Sequence, residues 1–215
     1  MTTTVVFDMD GLMVDTEPIS HEAWQIFLRP YHVQLSQDHI QQLIGLRGDV
    51  SSKMVQEFFN LPLSAEQIQN QKGAIFATLR NKDVPVMPGL FDLVEKLKQL
   101  KIRWGVGTSS PRSHASTILK QLNLTNQCQA IAGGDEVPHG KPAPDIYLLA
   151  AERLDVDPTT CLVFEDSAPG SRAAIAAGMR VIAVPNSDTK RSDFSHVTAV
   201  LPSLTAVCDQ LEQFL

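Results

Sequence analysis

The amino-acid sequence predicts an α/β fold, a doubly wound parallel sheet core with an inserted α-helical bundle. From about residue 88 onward, short apolar runs alternate with stripes of helical spacing, which is the pattern of a parallel sheet with helices on both faces. Three apolar runs end directly in carboxylate or hydroxyl side chains. The stretch between Asp15 and Met87 carries helical patterns alone and is too long for one strand-to-strand connection, so it predicts an insertion.

The first strand is predicted at 5–7, where three apolar residues follow one another. The alternating region then predicts, in order, a helix over 90–100, a strand over 102–107, a helix over 115–122, a strand over 130–132, a helix over 144–154, a strand over 161–164, a helix over 168–177, a strand over 181–184 and a helix over 204–211. Pro169 and Gly178 bound the small-residue helix between them, because proline favours a helix start and glycine a helix end. Ser203 is the predicted N-cap of the last helix.

The inserted segment is predicted to form a small helical bundle, because several helices from one contiguous segment can pack on one another. Its apolar residues fall into four stripes of helical spacing, within 19–28, 40–44, 54–59 and 68–79. Ser64 and Gln67 form a capping box at the start of the last of these helices.

Two connections join this bundle to the core, at 15–18 and 83–89, and their prolines make them candidate hinges. We therefore predict an α/β core of residues 1–15 and 87–215 and a helical cap domain of residues 16–86. The cap emerges directly after the first strand, so we expect it to lie over the site that this strand helps to form. It is a candidate lid.

Composition excludes several classes of partner. Hydrophobic residues make up 43% and charged residues 20% of the 215 residues, as in ordinary globular proteins, and the net charge of −6 argues against nucleic-acid and anionic-membrane partners. No apolar stretch approaches the roughly 18 residues that span a bilayer, and the first strand begins too early for a signal segment. Three widely spaced cysteines fit no zinc or disulfide framework and predict buried thiols and a cytoplasmic location. We expect a monomer, because no long apolar stripe is left over.

Oxygen-bearing side chains stand just past the carboxyl ends of three predicted strands. They are Asp8 and Asp10 after the first strand, Thr108 and Ser109 after the second, and Glu165 and Asp166 after the fourth. In an open parallel sheet, ligands bind outside the carboxyl ends of the strands, where the strand order reverses. We therefore expect one site assembled from distant segments. Four carboxylates crowded together repel one another unless a cation binds, and hard oxygen ligands favour Mg²⁺.

Asp8 and Asp10 are two residues apart and are followed by Gly11, which allows the backbone to leave the sheet. Both carboxylates can then face the same point. Such a pair suits a division of labour between a nucleophile and a general acid/base. Asp-x-Asp-Gly by itself is also an ordinary turn sequence, so this interpretation depends on the other segments.

An anion site is predicted from two hydroxyls and one lysine. Thr108 and Ser109 precede a predicted helix, whose N-terminal N–H groups can bind phosphate, although Thr-Ser-Ser before proline is also a normal N-cap. Four ionised carboxylates carry a total charge of −4, and a divalent metal ion offsets only two of these charges. Binding a phosphate dianion then needs another fixed cation and a protonated carboxylic acid. Lys141, in a loop with two prolines, is the best-placed cation.

In this combination and order, the four segments resemble the motifs of the haloacid dehalogenase-like superfamily, and the likeness covers essentially the whole chain. The matching segments are Phe7-Asp8-Met9-Asp10-Gly11, Thr108-Ser109, Lys141 and Glu165-Asp166. The helical insertion resembles the C1-type cap of the β-phosphoglucomutase-like and small sugar-phosphatase branch. The resemblance implies a Rossmann-like core and a Mg²⁺-dependent phosphatase that acts on a small sugar or polyol phosphate.

The resemblance also implies roles for these residues. Asp8 would attack phosphorus and form an aspartyl-phosphate, while Asp10 would protonate the leaving oxygen and then activate water. The implied metal ligands are Asp8, the backbone carbonyl of Asp10, Asp166 and, directly or through water, Glu165. The implied ligands of the phosphoryl oxygens are Thr108, the Ser109 N–H and Lys141.

A phosphosugar mutase of the β-phosphoglucomutase type is the alternative, since its core machinery would be identical and only the exclusion of water by the cap would differ. Arg47 could reach from the cap to a second phosphate, and His21 is another candidate substrate contact. The dehalogenase and phosphonate-cleaving branches lack the second aspartate of the first motif, which is present here as Asp10. A catalytically silent binding protein would show a degraded motif, and these motifs are intact.

Overall fold

Six parallel strands form one sheet in the computed structural model, which describes residues 4–80 and 84–215. The strands are β1 (Thr4–Phe7), β2 (Arg103–Gly107), β3 (Ala130–Ala132), β4 (Cys161–Glu165), β5 (Arg180–Ala183) and β6 (Ala199–Val200). Their spatial order is β3-β2-β1-β4-β5-β6, and each neighbouring pair is parallel. The chain builds outward from β1 through β2 and β3 and then crosses to β4, so the strand order reverses at β1.

Four helices form the described part of the inserted segment that follows β1. They are α1 (Glu17–Leu28), α2 (Gln37–Leu43), α3 (Gly48–Phe59) and α4 (Ala65–Arg80). They bury an apolar cluster of their own, which consists of Trp24, Phe27, Leu28, Val55, Leu61 and Ile68. The predicted capping box is present, since the Ser64 hydroxyl accepts from the Gln67 N–H at 3.2 Å and Gln67 Oε1 accepts from the Ser64 N–H at 2.9 Å. A separate cluster agrees with a distinct helical cap, but the bounds, a core of 1–15 and 87–215 and a cap of 16–86, stay a prediction, and Val84 and Val86 pack against the core cluster.

Five further helices of the described chain cover the two faces of the sheet. They are α5 (Leu90–Gln99), α6 (Arg112–Gln121), α7 (Asp145–Leu154), α8 (Ala168–Ala176) and α9 (Leu204–Gln210). Val5 and Phe7 pack in one cluster with α5, α6 and α9, whereas Val6 packs in another with α7 and α8. Successive residues of β1 thus bury opposite faces, as expected for a central strand between two helical layers. The predicted doubly wound α/β core is confirmed.

Single 3-10 turns complete the secondary structure at Arg29–Tyr31, Gly134–Glu136, Pro158–Thr160 and Leu211–Phe214. The strand β6 was not predicted, because two residues at the sheet edge are too short to show a periodic pattern. Asp83, at the start of the second predicted connection, lies outside the described residues. Within 4–80 and 84–215, no helix combines the length and the apolar character needed to cross a membrane.

Candidate active site

The carboxyl ends of β1, β2 and β4 meet at one edge of the sheet. β1 lies between the other two strands, and Phe7 is in register with Val106 of β2 and with Phe164 of β4. The Asp8 N–H extends this ladder by donating to the Phe164 carbonyl at 2.9 Å. Residues that follow these strands are therefore neighbours in space although they are far apart in the sequence. The structure brings together the strand-end side chains that were predicted to form one site.

Lys141 connects two of the buried carboxylates. Its Nζ donates to Asp8 Oδ1 at 2.6 Å and to Glu165 Oε1 at 2.7 Å, and all three side chains are buried. Charge-assisted hydrogen bonds of this length are strong and directional. They hold the ammonium group beside Asp8, where an anion that approaches this carboxylate would meet it.

Glu165 uses both of its oxygens within the protein. Oε1 accepts from Lys141 and from the Tyr147 hydroxyl at 3.0 Å, while Oε2 accepts from the Ser167 N–H at 2.7 Å and the Ser167 hydroxyl at 2.9 Å. Helix α8 packs so closely that a Cβ on Gly170 would overlap this carboxylate. A carboxylate has about four acceptor positions. In this geometry, Glu165 therefore orients Lys141 and has no acceptor position left over.

Asp166 lies where the turn after β1 approaches the end of β4. Its Oδ2 accepts from Asn186 Nδ2 at 2.8 Å, and the same amide donates to the Gly11 carbonyl at 3.3 Å. Gly11 has a φ of +83°, and a Cβ there would overlap the Asp166 carboxylate, so both conformation and space require glycine. Single oxygens of Asp8, Glu165 and Asp166 all lie within 4.8 Å of one another. Such an oxygen cluster suits a hard divalent cation.

The charges of this cluster are unbalanced. Burial raises the pKa of Asp8 to about 7, against the opposing effect of Lys141, and Glu165 raises it further. Burial, with the nearby Glu165 and Asp8, also raises the pKa of Asp166 well above its usual range. For Lys141, burial alone would lower the pKa, but the carboxylates of Asp8 and Glu165 raise it well above normal. One ammonium group faces three carboxyl groups, and a bound divalent cation would balance them.

Asp10 receives hydrogen bonds from several side chains at the rim of the cluster. Oδ1 accepts from the Thr16 hydroxyl at 2.9 Å and lies 3.1 Å from His114 Nε2. Oδ2 accepts from the Ser110 hydroxyl at 2.8 Å and from the Thr108 hydroxyl at 3.2 Å. These contacts hold the carboxylate in one orientation while 24% of the side chain stays exposed. A group that transfers protons to a bound ligand needs such an orientation and such access.

Thr108 and Ser109 have different partners although they are adjacent. The Thr108 hydroxyl donates to Asp10 and accepts from the Ser110 N–H at 3.0 Å. The Ser109 hydroxyl instead donates to the carbonyl of Gly45, which lies in the cap, at 3.0 Å. Ser109 therefore contributes a contact between the cap and the core.

A cavity of about 880 Å³ lies between the helical cap and this edge of the sheet. Its core side includes Asp8, Asp10, Thr108, Ser109, Lys141 and Asp166. Its cap side includes the polar residues Glu17, Ser20, His21, Lys72 and Arg80 and the aromatic residues Trp24 and Phe76. Small-molecule sites commonly measure about 300–1,000 Å³, so the cavity has the size of a metabolite site.

Lys72 of α4 places a cation on the cap side of this cavity. Its Nζ lies 5.2 Å from the centre of the Trp24 ring and 4.8 Å from the centre of the Phe76 ring, and it donates to the Ser20 hydroxyl at 3.2 Å. Burial lowers the pKa of Lys72 to about 8, against the opposing effect of Glu17. Aromatic faces and one hydroxyl are modest partners for a buried ammonium group. A ligand with hydroxyl groups could therefore bind it.

Glu17 is expected to make the stability of the protein depend on pH. Burial raises its pKa to about 7, and the negative charges of Asp10 and Asp188 add to this shift. A carboxyl of this kind stabilises the fold fully below its ordinary pKa of 4.5, and this contribution is lost as the pH rises through about 7. Because 18% of the Glu17 side chain is exposed, we expect Glu17→Gln to raise the free energy of unfolding at pH 8 by only on the order of 1 kcal/mol.

Urea unfolding of Glu17→Gln at pH 4.5, 6 and 8 measures this effect. The difference in the free energy of unfolding between Glu17→Gln and the unsubstituted protein should grow with pH and be smallest at pH 4.5. Glu22→Gln, at an exposed position of the same helix, is the matched control and should show no such trend. A difference that stays constant over this range would contradict the assignment.

Arg47 and His21, the two predicted cap contacts, both line the cavity, and Arg47 has hydrogen-bond partners in the protein. The guanidinium group of Arg47 makes two hydrogen bonds of 2.7 Å to the carboxylate of Asp49. It also donates to three carbonyl groups of the core, those of Gly134, Val137 and Pro138. His21 Nε2 lies 3.8 Å from Glu17 Oε2 and 3.7 Å from Asp188 Oδ2. Arg47 thus ties the cap to the core, and its role as a substrate contact stays a prediction.

Several site residues were not singled out from the sequence. They are Thr16, Lys72, Ser110, His114, Tyr147 and Asn186. Asn186 could have been found, because it follows β5 closely and polar residues beyond strand ends were the signal for the other segments. Lys72 and His114 lie inside helices of ordinary pattern, and only the packing of these helices turns them toward the cavity.

Most of this chain is similar to known sequences. Residues 5–184 match the model of the family described as haloacid dehalogenase-like hydrolase. A probable pseudouridine-5'-phosphatase of Drosophila melanogaster is 36% identical over 208 residues, which cover 94% of this chain and 90% of that protein. A fructose-1-phosphate phosphatase of Escherichia coli is 37% identical over 189 residues, which cover 84% of this chain and 95% of that protein.

The fold has close counterparts among solved structures. The crystal structure of a β-phosphoglucomutase from Clostridium difficile superposes with a TM-score of 0.89 and 23% identity, covering 100% of this chain and 96% of that chain. At this level of identity the likeness concerns the fold. It includes the cap as well as the core, since the whole chain is covered.

Proposed function

Because this chain belongs to the haloacid dehalogenase-like hydrolase family, we propose that it is a Mg²⁺-dependent phosphatase that hydrolyses a small sugar or polyol phosphate through an aspartyl-phosphate on Asp8. The observation that carries this proposal is the convergence of four separate segments on the floor of one cavity. There Lys141 bridges Asp8 and Glu165, and Asp10 and Asp166 lie beside them.

The residues at this floor fit a magnesium ion. Asp8 and Asp166 are carboxyl groups whose pKa values are raised by burial first and by neighbouring carboxylates second, and one oxygen of each lies in the same small cluster. We infer that both bind the metal and that the Asp10 backbone carbonyl completes the protein ligands. Glu165 then acts by holding Lys141, because its acceptor positions are already used. Bound Mg²⁺ supplies positive charge that offsets the repulsion between the nucleophile and the phosphate.

In the first step, a carboxylate oxygen of Asp8 bonds to phosphorus while the bond from phosphorus to the leaving oxygen breaks. Asp10 gives its proton to that oxygen, so the product departs as a neutral alcohol. In the second step, Asp10 takes a proton from water, which attacks the aspartyl-phosphate and frees Asp8 and inorganic phosphate. Lys141 and the Ser109 N–H bind the phosphoryl oxygens throughout, and Thr108 joins them when its hydroxyl turns from Asp10 to the phosphoryl group, because such transfers depend on positioning and charge balance.

The cap side of the cavity supports a substrate that is rich in hydroxyl groups. Glu17 offers carboxylate acceptors, Lys72 offers a donor and Ser20 offers both, while Trp24 supplies an apolar face. Sugars and polyols combine hydroxyl groups with apolar ring or chain surfaces, so they match this lining. The named substrates of the relatives, pseudouridine 5'-phosphate and fructose 1-phosphate, have the same character.

The proposal is tested by phosphate release from a panel of phosphorylated sugars and polyols that includes those two compounds. We expect release from at least one of them with Mg²⁺, complete loss on chelation with EDTA and recovery when Mg²⁺ is returned in excess. Release that persists in EDTA would contradict the metal assignment. A panel with no release at saturating Mg²⁺ would overturn the phosphatase proposal.

The same assay separates the phosphatase from the mutase. Arg47, the candidate for holding a second phosphate, is bonded to Asp49 and to core carbonyl groups, which favours the phosphatase. With β-glucose 1-phosphate, a phosphatase releases phosphate and glucose, whereas a mutase accumulates glucose 6-phosphate. Faster formation of glucose 6-phosphate than of phosphate would favour the mutase.

The cytoplasmic location, the monomeric state and the absence of nucleic-acid partners remain part of this proposal. The location is supported by three free cysteines, Cys128, Cys161 and Cys208. The absence of nucleic-acid partners is supported by the net charge of −6.

A further inference from the structure

His114 joins the cap to the proposed acid/base, Asp10. It lies on α6 of the core, is only 6% exposed, and its Nε2 lies 3.1 Å from Asp10 Oδ1. On its other side, Nδ1 contacts the guanidinium Nη1 of Arg80. The Phe76 ring lies 5.7 Å from the His114 ring, centre to centre. Phe76 and Arg80 both belong to α4, so the imidazole is held between a cap helix and a catalytic carboxylate.

The chemistry of these partners defines the state of the imidazole. A guanidinium group has only donors, so Nδ1 of His114 must accept from Arg80. In the neutral ring the hydrogen then resides on Nε2, which donates to Asp10 Oδ1. The contacts are two consecutive hydrogen bonds, in which Arg80 donates to His114 and His114 donates to Asp10.

The cap and the core each have an apolar cluster of their own, so the hydrogen bonds from Arg80 through His114 to Asp10 link two separately packed parts of the protein. Ile68 of α4 packs in the apolar cluster of the cap, whereas Ala115 and Ile118 of α6 pack in the apolar cluster of the core. Of the side chains that contact the Asp10 carboxylate among the described residues, His114 is the one whose far side touches α4. If the cap moved away, Arg80 and Phe76 would leave the imidazole, and its ring would be free to rotate.

We infer that His114 is a positioning residue that couples the closed position of the cap, through Arg80, to the orientation of the Asp10 carboxylate. This inference rests on the proposed function, because it assigns Asp10 a proton-transfer role. Its effect should be large only where the leaving oxygen needs a proton. A phenolate ion leaves poorly without one, whereas 4-nitrophenolate is a stable anion that leaves without help.

The experiment compares kcat/KM for phenyl phosphate and 4-nitrophenyl phosphate, two probes of similar shape. With His114→Ala, we expect kcat/KM to fall at least about tenfold for phenyl phosphate and less than about threefold for 4-nitrophenyl phosphate. His114→Gln keeps an amide N–H near the position of Nε2 and should recover most of the loss. Lys120→Ala, at an exposed position of the same helix, is the control and should leave both values unchanged.

The link to the cap is tested with Arg80→Met. This variant should reproduce the selective loss for phenyl phosphate, and the double variant with His114→Ala should lose little more, because both residues act through one contact.

A readout that does not depend on turnover is ¹⁵N NMR of the histidine rings in the metal-free protein. The signal assigned through His114→Gln should show a neutral ring protonated at Nε2, and Arg80→Met should change it.

The outcomes separate this inference from the proposed function. If the unsubstituted protein hydrolyses neither probe with Mg²⁺, the proposed function fails. If it hydrolyses both and His114→Ala lowers both equally, or if the ring is protonated at Nδ1, the positioning role is wrong while the phosphatase stands. If Arg80→Met leaves the ratio of the two kcat/KM values unchanged, the coupling to the cap is wrong.

Discussion

Asp8→Asn is expected to lower turnover at least about 10,000-fold, because the amide cannot attack phosphorus and no covalent intermediate forms. The change keeps the size of the side chain. It also keeps an oxygen that can accept from Lys141, whose second partner, Glu165, is untouched. The fold should therefore persist, and the loss should appear in turnover. Steady-state phosphate release with Mg²⁺ and the best substrate of the panel measures it.

Two further measurements make this prediction decisive. Asp92→Asn, the same exchange at an exposed position of α5, should leave turnover unchanged. Acid quenching of the unsubstituted protein during turnover, followed by mass spectrometry, should find one phosphoryl group on the peptide that contains Asp8. Turnover within tenfold of normal in Asp8→Asn, or a phosphoryl group on another peptide, would remove Asp8 as the nucleophile.

Lys141→Met is expected to damage both turnover and stability, because Lys141 is the cation between two buried carboxyl groups. Removing one partner of a buried ion pair leaves an uncompensated charge, which typically costs about 3–5 kcal/mol. Part of that cost disappears if Asp8, whose pKa is raised to about 7 by burial, takes up a proton. We therefore expect a loss near the lower end of this range in the free energy of unfolding at pH 7, together with a fall in kcat/KM of at least about 1,000-fold.

Removing the lysine of an exposed ion pair costs much less stability than removing the lysine of a buried pair, so an exposed lysine is the control for Lys141→Met. Lys98→Met removes a lysine that is 67% exposed and whose partner, Glu95, is 52% exposed, so the change should cost at most about 1 kcal/mol. The double variant Lys141→Met with Glu165→Gln should recover part of the stability without recovering turnover. Full turnover in any folded Lys141→Met protein would show that this lysine does not bind the phosphoryl group.

Most of the site residues could be predicted because ligands bind beyond the carboxyl ends of parallel strands. Asp8, Thr108 and Asp166 were identified because each follows an apolar run, and parallel strands bring their carboxyl ends to one edge. The register of β1 with β2 and β4 brings these segments together. Lys141 was identified by counting charges, and its hydrogen bond of 2.6 Å to Asp8 agrees with that reasoning.

Contacts across the cavity could not be predicted in this way. Arg47 was a candidate contact for a second substrate phosphate, and the sequence did not predict its bonds to Asp49 and to carbonyl groups of the core. Lys72 and His114 carried no sequence signal, because a polar residue within a helix is usually exposed. The angle between the cap and the core decides which helical residues face the cavity, and that angle depends on many weak contacts between distant segments.

By itself, the sequence determined the doubly wound core, the inserted helices and the chemical identity of the residues at the strand ends. These follow from short-range information, since apolar periodicity sets each element and the rules of parallel sheets set where strand ends meet. Only the tertiary structure decided how the charges are paired, that Glu165 holds Lys141, and that Arg80 and His114 reach Asp10. Pairing depends on distances of a few ångströms between side chains on separate elements, and packing fixes such distances where periodicity does not.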